Sequence, residues 1–290
     1  MTSSCARVKR ARPLLGTLVE IVLDGDDEAI LHRAAEDAFC AVERVHRLMS
    51  FHCESSDVTR INRNAHRQPV DVDPATWTVL DIAGRISHAT QGLFDVSVGG
   101  SMIEQHALPR MTSGPFDPSA SFRDIELLPG NRVFLRRALA VDLGGIAKGY
   151  AVDCAVDRLR RYSGITGSVN AGGDLRVFGA MAMRVRIRNP DQPSLVGATA
   201  MLRDAALATS ATYPSSAGRD ACGLILHPRL PALPRRISSA SVRAPTCALA
   251  DALAKSVYLL NRNAESVLSQ FGASGFLLGN GGMSVIGGQS

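Results

Sequence analysis

Apolar residues recur at helical spacing in four segments of the chain. In the first segment, DDEAILHRAAEDAFCAVERVHRLM, the apolar positions are Ile30, Ala34, Ala38, Val42, Val45 and Met49. Steps of three and four residues place these side chains on one face of a helix, and acidic residues favour its first turn. The same reasoning predicts helices over residues 75–90, 146–162 and 248–262.

Short segments rich in Val, Ile and Leu predict strands between these helices. They cover Leu14–Leu23 and residues 168–179, 183–190 and 275–288, and residues 132–145 predict a hairpin. Residues 206–216, 223–229 and 238–245 predict short strands or loops. Strands and helices mix without a regular alternation, which favours an α+β fold with a mainly antiparallel sheet and packed helices. We expect a basic N-terminal tail over residues 1–13 and a single two-lobed domain over residues 14–290.

The composition is that of a globular protein with a large core. The chain has 290 residues, of which 46% are apolar and 20% charged. These shares exclude disordered and collagen-like chains. No apolar run approaches the roughly 20 residues of a spanning helix, so we predict no membrane span. The net charge of +5 is dispersed, and without a basic stripe it predicts no nucleic-acid partner.

The cysteines and the N-terminus bear on the cellular compartment. Six cysteines are scattered without a CxxC pair, which favours reduced thiols over disulfides or a zinc site. The segment MTSSCARVKRARP lacks the apolar stretch of a secretory signal. Both observations predict a cytoplasmic protein.

The run DLGGIAKGYAVD is the most informative segment chemically. It predicts a strand that ends at Asp142, a turn at Gly144 and Gly145, and a helix that carries Lys148 in its first turn. Backbone N–H groups at a helix start suit a phosphate or pyrophosphate, which the Lys148 ammonium could also reach. The glycine spacing alone favours a plain strand-to-helix turn, because it matches neither the dinucleotide nor the P-loop fingerprint.

Three further runs each allow a structural and a functional interpretation. In SVNAGGDLRVFG the glycine pair before Asp174 forms either a tight turn or a backbone wall against a ligand. In QGLFDVSVGG, Phe94 and Asp95 serve either as core residue and cap or as contacts to an aromatic ligand. In RAPTCALADALAKS, Asp251 and Lys255 lie four residues apart, as in a helical ion pair or a metal–phosphate site.

Eight segments, taken in order, resemble the ApbE-type flavin transferases, the FAD:protein FMN transferases. They are LLGTLVEI, MSFHCESSDVTRIN, GLFDVSVGG, DLGGIAKGYAVD, NAGGD, LATSATY, HPR and APTCALADALA, and they run from Leu14 to about Leu260. The resemblance implies a two-lobed, T-fold-like architecture and an enzyme that uses FAD and Mg²⁺. Such an enzyme links FMN by a phosphoester to a Thr or Ser hydroxyl of an acceptor flavoprotein and releases AMP. The oligomeric state is left open.

The resemblance also implies roles for individual residues. Those expected to contact FAD are Leu15, His52, Leu93, Phe94, Asp95, Asp142, Lys148 and Ile225. The carbonyl of Gly145 and the carboxylate of Asp251 are expected to bind the metal.

Three polar positions of the family pattern are altered in this sequence. The family has a threonine where this chain has Lys255, and an acidic residue where it has Ala248. In the segment that corresponds to HxxDP, Leu224 stands at the histidine position and His227 at the aspartate position. One explanation is that Lys255 replaces part of the metal's charge while His227 acts as a displaced catalytic base.

Two other hypotheses remain open. One is a non-catalytic FAD-binding protein, and the other is an FAD pyrophosphatase that gives FMN and AMP with water in place of the acceptor hydroxyl. His227 would then be a surface or hydrogen-bonded loop histidine.

Overall fold

The computed structural model describes residues 5–110, 114–192, 194–211, 239–279 and 282–287. Its strands are β1 Ala6–Leu14, β2 Thr17–Gly25, β3 Val70–Asp71, β4 Ile125–Leu128, β5 Arg132–Leu135, β6 Thr166–Ala171, β7 Asp174–Phe178, β8 Met183–Arg188, β9 Val196–Leu202, β10 Ala206–Ala211, β11 Ser239–Ala244, β12 Ser274–Gly279 and β13 Gly282–Ile286. Its α-helices are α1 Glu28–Met49, α2 Asp57–Asn64, α3 Pro74–Ala89, α4 Gly99–Glu104, α5 Ala147–Leu159, α6 Cys247–Leu260 and α7 Glu265–Gln270.

The described residues divide into two compact units. The first unit draws on Met1–Arg44, Lys148–Gly223 and Pro234–Ser290, and the second on Val45–Ala147. The first unit holds an eight-stranded sheet in the order β1-β2-β6-β7-β10-β11-β12-β13, and every neighbouring pair is antiparallel. A separate antiparallel hairpin, β8–β9, belongs to the same unit.

Apolar side chains of the sheet and the hairpin form a buried cluster in the first unit. Its members lie on β7, β8, β9, β10 and β12 and in the turn between β9 and β10. They are Leu175, Val177, Ile187, Leu202, Ala205, Leu207 and Leu278. Burial of such side chains stabilises a fold by roughly 1.5–3 kcal/mol each. The cluster therefore joins the hairpin to the sheet.

Helix α1 buries the apolar stripe that its sequence predicts, except that Leu31 is buried in place of Ile30. Leu31, Phe39 and Val42 are at most 1% exposed, whereas Ile30 is 42% exposed. On the strand side, the Arg12 guanidinium lies 4.5 Å from the centre of the Phe39 ring and also pairs with Glu36. The charged rim of the helix thus contacts β1 while its apolar face is buried.

The second unit contains the three-stranded antiparallel sheet β3-β5-β4 and helices α2, α3 and α4. Side chains at the helix starts satisfy exposed backbone donors. Ser56 accepts from the Thr59 N–H at the start of α2, and Asp73 accepts from the Ala75 N–H at the start of α3. The side chain of buried Asn62 bonds both backbone groups of Val141.

The α+β class and the mainly antiparallel sheet are confirmed. The expected tail over residues 1–13 is wrong from Ala6 onward, because that segment is strand β1, paired in register from Ala6 with Gly25 to Leu14 with Thr17. The hairpin predicted over 132–145 is also wrong. Only Arg132–Leu135 forms a strand there, and it pairs with β3 and β4 instead. That residues 14–290 act as a single domain stays a prediction.

Candidate functional site

Helices α5 and α6 approach each other unusually closely at Gly149. A Cβ at this position would lie 2.2 Å from the backbone carbonyl oxygen of Cys247 and 2.9 Å from Cα of Ala248. Only glycine allows this approach. It also lets the Gly149 N–H donate to Oδ2 of Asp251 at 3.1 Å.

Two lysines and two aspartates, which we call the lysine–aspartate cluster, meet at this contact. Its members are Lys148, Asp174, Asp251 and Lys255. Lys148 Nζ lies 2.6 Å from Oδ2 of Asp174 and 3.5 Å from Oδ2 of Asp251. Lys255 Nζ donates to Oδ1 of Asp251 and, at 3.1 Å, to its backbone carbonyl. The carboxylate side chains are 7% and 1% exposed and the lysine side chains 32% and 26%, so the lysines are the more accessible members of the cluster.

The charges of this cluster determine its protonation. Burial alone would lower the pKa of Lys148, but the Asp251 and Asp174 carboxylates outweigh it and raise that pKa above the ordinary lysine value. Burial and the neighbouring Asp251 charge raise the pKa of Asp174. Burial opposes ionisation of Asp251 as well, but Lys148 and Lys255 lower its pKa. The Lys148 ammonium therefore stays charged and stabilises an ionised Asp251.

A second buried ion pair fixes the start of α6, and the sequence analysis missed it. Asp153 of α5 accepts from the N–H groups of Cys247 and Ala248, both at 2.8 Å, and from Nη1 of Arg176 at 2.7 Å. Asp153 is the last residue of the DLGGIAKGYAVD run, so the sequence analysis identified its motif. It could not identify the partners of Asp153, because they lie in distant segments of the chain. The pair positions the helix that carries Asp251.

Leu15 lies in the turn between β1 and β2. Leu15 and Gly16 both have positive φ, at 57° and 70°, as a two-residue hairpin turn of type I′ requires. Leucine rarely adopts this conformation. Across from it, a Cβ on Gly172 would lie 2.5 Å from Oγ1 of Thr17, so this turn packs against the glycine turn that precedes Asp174.

In the second unit, the structure brings the segments of Asp95 and Asp142 together. Val98 and Ala140 form a parallel bridge, and the Asp142 N–H donates to the Val96 carbonyl at 2.8 Å. The Asp95 carboxylate accepts from the Ser97 N–H and hydroxyl and, at 3.2 Å, from the Phe122 N–H. Burial raises the pKa of Asp95 despite these hydrogen bonds. The Asp95 carboxylate therefore joins the turn before α4 to the segment of Phe122, whereas the N-cap position of α4 is Val98.

The remaining predicted contacts of the second unit differ in exposure. Phe94 is 6% exposed, which leaves little of its ring for stacking, whereas Leu93 is half-buried and His52 is exposed. Gly145 lies in the turn before α5, where its neighbour Gly144 donates its N–H to Asp142 Oδ1 at 3.2 Å.

Three predicted positions lie outside the described residues. They are Leu224, Ile225 and His227. Their expected roles stay predictions.

The comparisons with known proteins agree with one another. The sequence profile of the ApbE family matches residues 15–275. A Treponema pallidum (strain Nichols) protein named FAD:protein FMN transferase is 27% identical over an alignment that covers 88% of this chain and 80% of that protein. A Rhodobacter capsulatus protein of the same name is 28% identical over 88% of this chain and 51% of its own length.

Solved structures show the same fold. The crystal structure of the ApbE protein from Thermotoga maritima matches with a TM-score of 0.83 and 25% identity, over 97% of this chain and 96% of that chain. The flavin transferase ApbE from Vibrio cholerae matches with a TM-score of 0.78 and 23% identity, over 97% and 96% of the two chains. With a profile that matches most of its length, this chain belongs to the ApbE family.

Proposed function

We propose that this protein transfers FMN from FAD to a Thr or Ser hydroxyl of an acceptor flavoprotein and releases AMP. Its relatives in Treponema pallidum and Rhodobacter capsulatus carry the name FAD:protein FMN transferase. The observation that carries the proposal is the lysine–aspartate cluster. It holds two ammonium groups in fixed positions where α5 contacts α6, and Lys148 lies in the glycine-rich run DLGGIAKGYAVD.

The cluster suits a pyrophosphate. Ammonium groups form short, charge-assisted hydrogen bonds with phosphate oxygens. The buried carboxylates of Asp174 and Asp251 hold the Nζ atoms of Lys148 and Lys255 in place before a ligand binds. Little side-chain entropy is then lost on binding, so a preorganised pair binds an anion more tightly than two free lysines.

Asp251 does not fit a magnesium ion as it stands. Mg²⁺ requires oxygen ligands at about 2.0–2.1 Å in near-octahedral geometry. Both carboxylate oxygens of Asp251 already accept hydrogen bonds, Oδ1 from Lys255 and Oδ2 from the Gly149 N–H. Oδ2 also lies 3.5 Å from Nζ of Lys148. Among the residues that the structure describes, no three His, Cys, Asp or Glu side chains are grouped to hold a metal. The proposed reaction therefore contains no step through a metal.

In the proposed reaction, the oxygen of the acceptor hydroxyl attacks the phosphorus of the FMN half of FAD. The bond between that phosphorus and the oxygen bridging to the AMP phosphate breaks. The bridging oxygen leaves with AMP, and a base takes up the hydroxyl proton. Lys148 and Lys255 stabilise the charge on the phosphate oxygens as this bond breaks. His227 is the proposed base.

The other contacts are proposed from the family resemblance. For FAD these are Leu15, His52, Leu93, Phe94, Asp95, Asp142 and Ile225, with the Gly145 carbonyl as a further polar contact. Among them, Leu15 lies in the β1–β2 turn, where its left-handed backbone is the conformation that a type I′ turn requires.

The cytoplasm is the compartment that we propose for this reaction. The scattered, CxxC-free cysteines carry that proposal. Within the described ranges, no helix has both the length and the apolarity of a membrane span.

Intact-mass spectrometry tests the transfer. An acceptor flavoprotein that the Vibrio cholerae relative is first shown to modify is incubated with FAD and this protein, and nucleotides are followed in parallel. We expect the acceptor to gain the mass of one FMN as AMP appears. FMN and AMP without a mass gain would indicate a pyrophosphatase, and retained FAD without products a binding protein; either would overturn the proposal.

The three lysines of the chain supply a matched control. Lys148→Met and Lys255→Met are expected to lower the transfer rate at least about tenfold, by removal of a charge on the reacting phosphate. Lys9→Met makes the same exchange at a lysine whose side chain is 65% exposed and paired with Glu20 on the sheet edge. We expect that variant to transfer FMN at the unaltered rate.

A further inference from the structure

Both oxygens of the Asp251 carboxylate contact groups of its own unit. Oδ1 accepts from Lys255, and Oδ2 accepts from the Gly149 N–H at 3.1 Å with Lys148 Nζ at 3.5 Å. The side chain is 1% exposed, so among the described residues these groups are the ones that stabilise its charge. Removal of any one of them would leave a buried charge poorly compensated.

The position of Lys255 follows from helix geometry alone. Residues four apart on a helix are surface neighbours, so the Lys255 side chain reaches back over the turn that begins at Asp251. Its ammonium bonds both the carboxylate and, at 3.1 Å, the backbone carbonyl of the same residue. The two acceptors of Asp251 hold the Lys255 ammonium in place, one helical turn from its own Cα.

The cluster is also balanced in charge. Two carboxylates, Asp174 and Asp251, face two ammonium groups, Lys148 and Lys255. If Asp174 takes up a proton, the cluster becomes positive. In neither state does the site have the net negative charge that attracts a divalent cation, and a cation on Asp251 would meet two ammonium groups at close range.

We infer that the Lys255 ammonium is a built-in cation, which excludes a divalent metal from Asp251 and lets this protein bind the FAD pyrophosphate without Mg²⁺. The exclusion of the metal rests on the geometry of the cluster. The part that concerns FAD rests on the proposed function. The position at which the family has a threonine oxygen thus carries a positive charge of its own in this chain.

Manganese titration followed by electron paramagnetic resonance tests the exclusion directly, with MnCl₂ as the probe and no FAD present. The wild-type full-length chain is compared with Lys255→Thr, which supplies a hydroxyl oxygen and removes one positive charge from the cluster. We expect Lys255→Thr to bind Mn²⁺ at least about tenfold more tightly than wild type. Equal affinities would overturn the inference, whether both bind Mn²⁺ or neither does.

FAD affinity, measured by quenching of flavin fluorescence in EDTA and in MgCl₂, tests the second part. For wild type, the FAD affinity in EDTA is expected to equal that in MgCl₂ within about twofold, and the same holds for the charge-preserving Lys255→Arg. Lys255→Thr is expected to bind at least about tenfold more tightly with Mg²⁺ than with EDTA. A wild-type affinity that collapses in EDTA would overturn the inference.

These two measurements separate the inference from the proposed function. If wild type binds no FAD in either medium, the proposed function fails, and the manganese titration alone still supports or overturns the exclusion of the metal. If FAD binds without Mg²⁺ but no acceptor is modified, the transfer is wrong and the inference stands. Circular dichroism spectra of each variant confirm that the compared proteins are folded.

Discussion

Asp153→Ala is the substitution with the largest expected effect on stability, because Asp153 serves two partners at once. Its carboxylate accepts the first N–H groups of α6, from Cys247 and Ala248, and pairs with the Arg176 guanidinium at 2.7 Å. Both charged side chains are less than 10% exposed. Arg176 Nε is buried without a hydrogen-bond partner among the described residues, so Asp153 is the group that compensates its charge.

The magnitude follows from these contacts. Breaking a buried pair and leaving one charge uncompensated costs about 3–5 kcal/mol. Loss of the acceptor at a helix start adds about 1 kcal/mol. Asp153→Ala is therefore expected to lower the free energy of unfolding by about 4–6 kcal/mol, a large share of the roughly 5–15 kcal/mol of a typical domain.

Urea unfolding followed by circular dichroism measures this loss. With a slope of about 2–3 kcal/mol per molar urea, the midpoint is expected to fall by about 2 M. The double variant Asp153→Ala/Arg176→Met removes both charges and is the matched control. Its free energy of unfolding is expected to fall by only about 1–2 kcal/mol. The double variant still lacks the acceptor at the start of α6, but it leaves no buried charge without a partner.

The pH dependence of Arg176→Met provides a further check. Burial raises the pKa of Asp153, and Arg176 offsets part of this effect, so removal of the guanidinium raises that pKa further. A carboxyl with a folded pKa above its unfolded value destabilises the fold once it ionises. The deficit of this variant is therefore expected to be largest at neutral pH and to shrink as the pH falls through the raised pKa.

Two results would refute this reasoning. One is a loss below about 1 kcal/mol for Asp153→Ala, within the range of an ordinary surface substitution. The other is a double variant as unstable as the single one, which would show that the orphaned Arg176 charge contributes nothing. Either outcome would mean that water reaches the pair and screens it.

Three further expectations concern neighbouring groups. Lys148→Met should lower the free energy of unfolding by about 3 kcal/mol in urea titrations, since two buried carboxylates lose a counter-charge, whereas Lys148→Arg should lose less. Gly149→Ala should lower the free energy of unfolding by about 2–3 kcal/mol, because the new Cβ would lie 2.2 Å from a carbonyl oxygen. Gly84 is a helical glycine with open space around it, so Gly84→Ala should raise the free energy of unfolding by up to about 1 kcal/mol in the same assay. Burial raises the pKa of Cys247 well above its usual value, so iodoacetamide labelling read by peptide mass spectrometry should modify exposed Cys40 in the folded protein and Cys247 only after unfolding; early labelling of Cys247 would contradict this.

The regular elements were predictable where the local pattern was strong. The helix at residues 75–90 matches α3 within one residue, because Asp73 and Pro74 mark its start in the sequence as well as in the structure. Strand β1 was hidden because its alternating basic residues are typical of a solvated tail. Its strand conformation depends on pairing with β2, with Lys9 and Glu20 forming an ion pair across the two strands.

The candidate site was predictable only in part. The motifs identified Lys148, Asp251 and Lys255 as candidates, but not Asp174, because only the glycine pair before it was interpreted, as a turn or a ligand wall. Arg176 was not considered, since a single arginine in a strand carries no signal of its own. Its partner Asp153 is 23 residues away in the chain.

The sequence by itself determined the family, the helices with clear end signals, and the Asp251–Lys255 pair, because residues four apart meet on any helix. Only the tertiary structure decided that Gly149 would donate to Asp251 from 102 residues away and that Lys148 would meet Asp174. It also buried both carboxylates, and this burial gives the cluster its chemistry. The energy of a charge depends on what packs around it, and packing between distant segments is not encoded in local spacing.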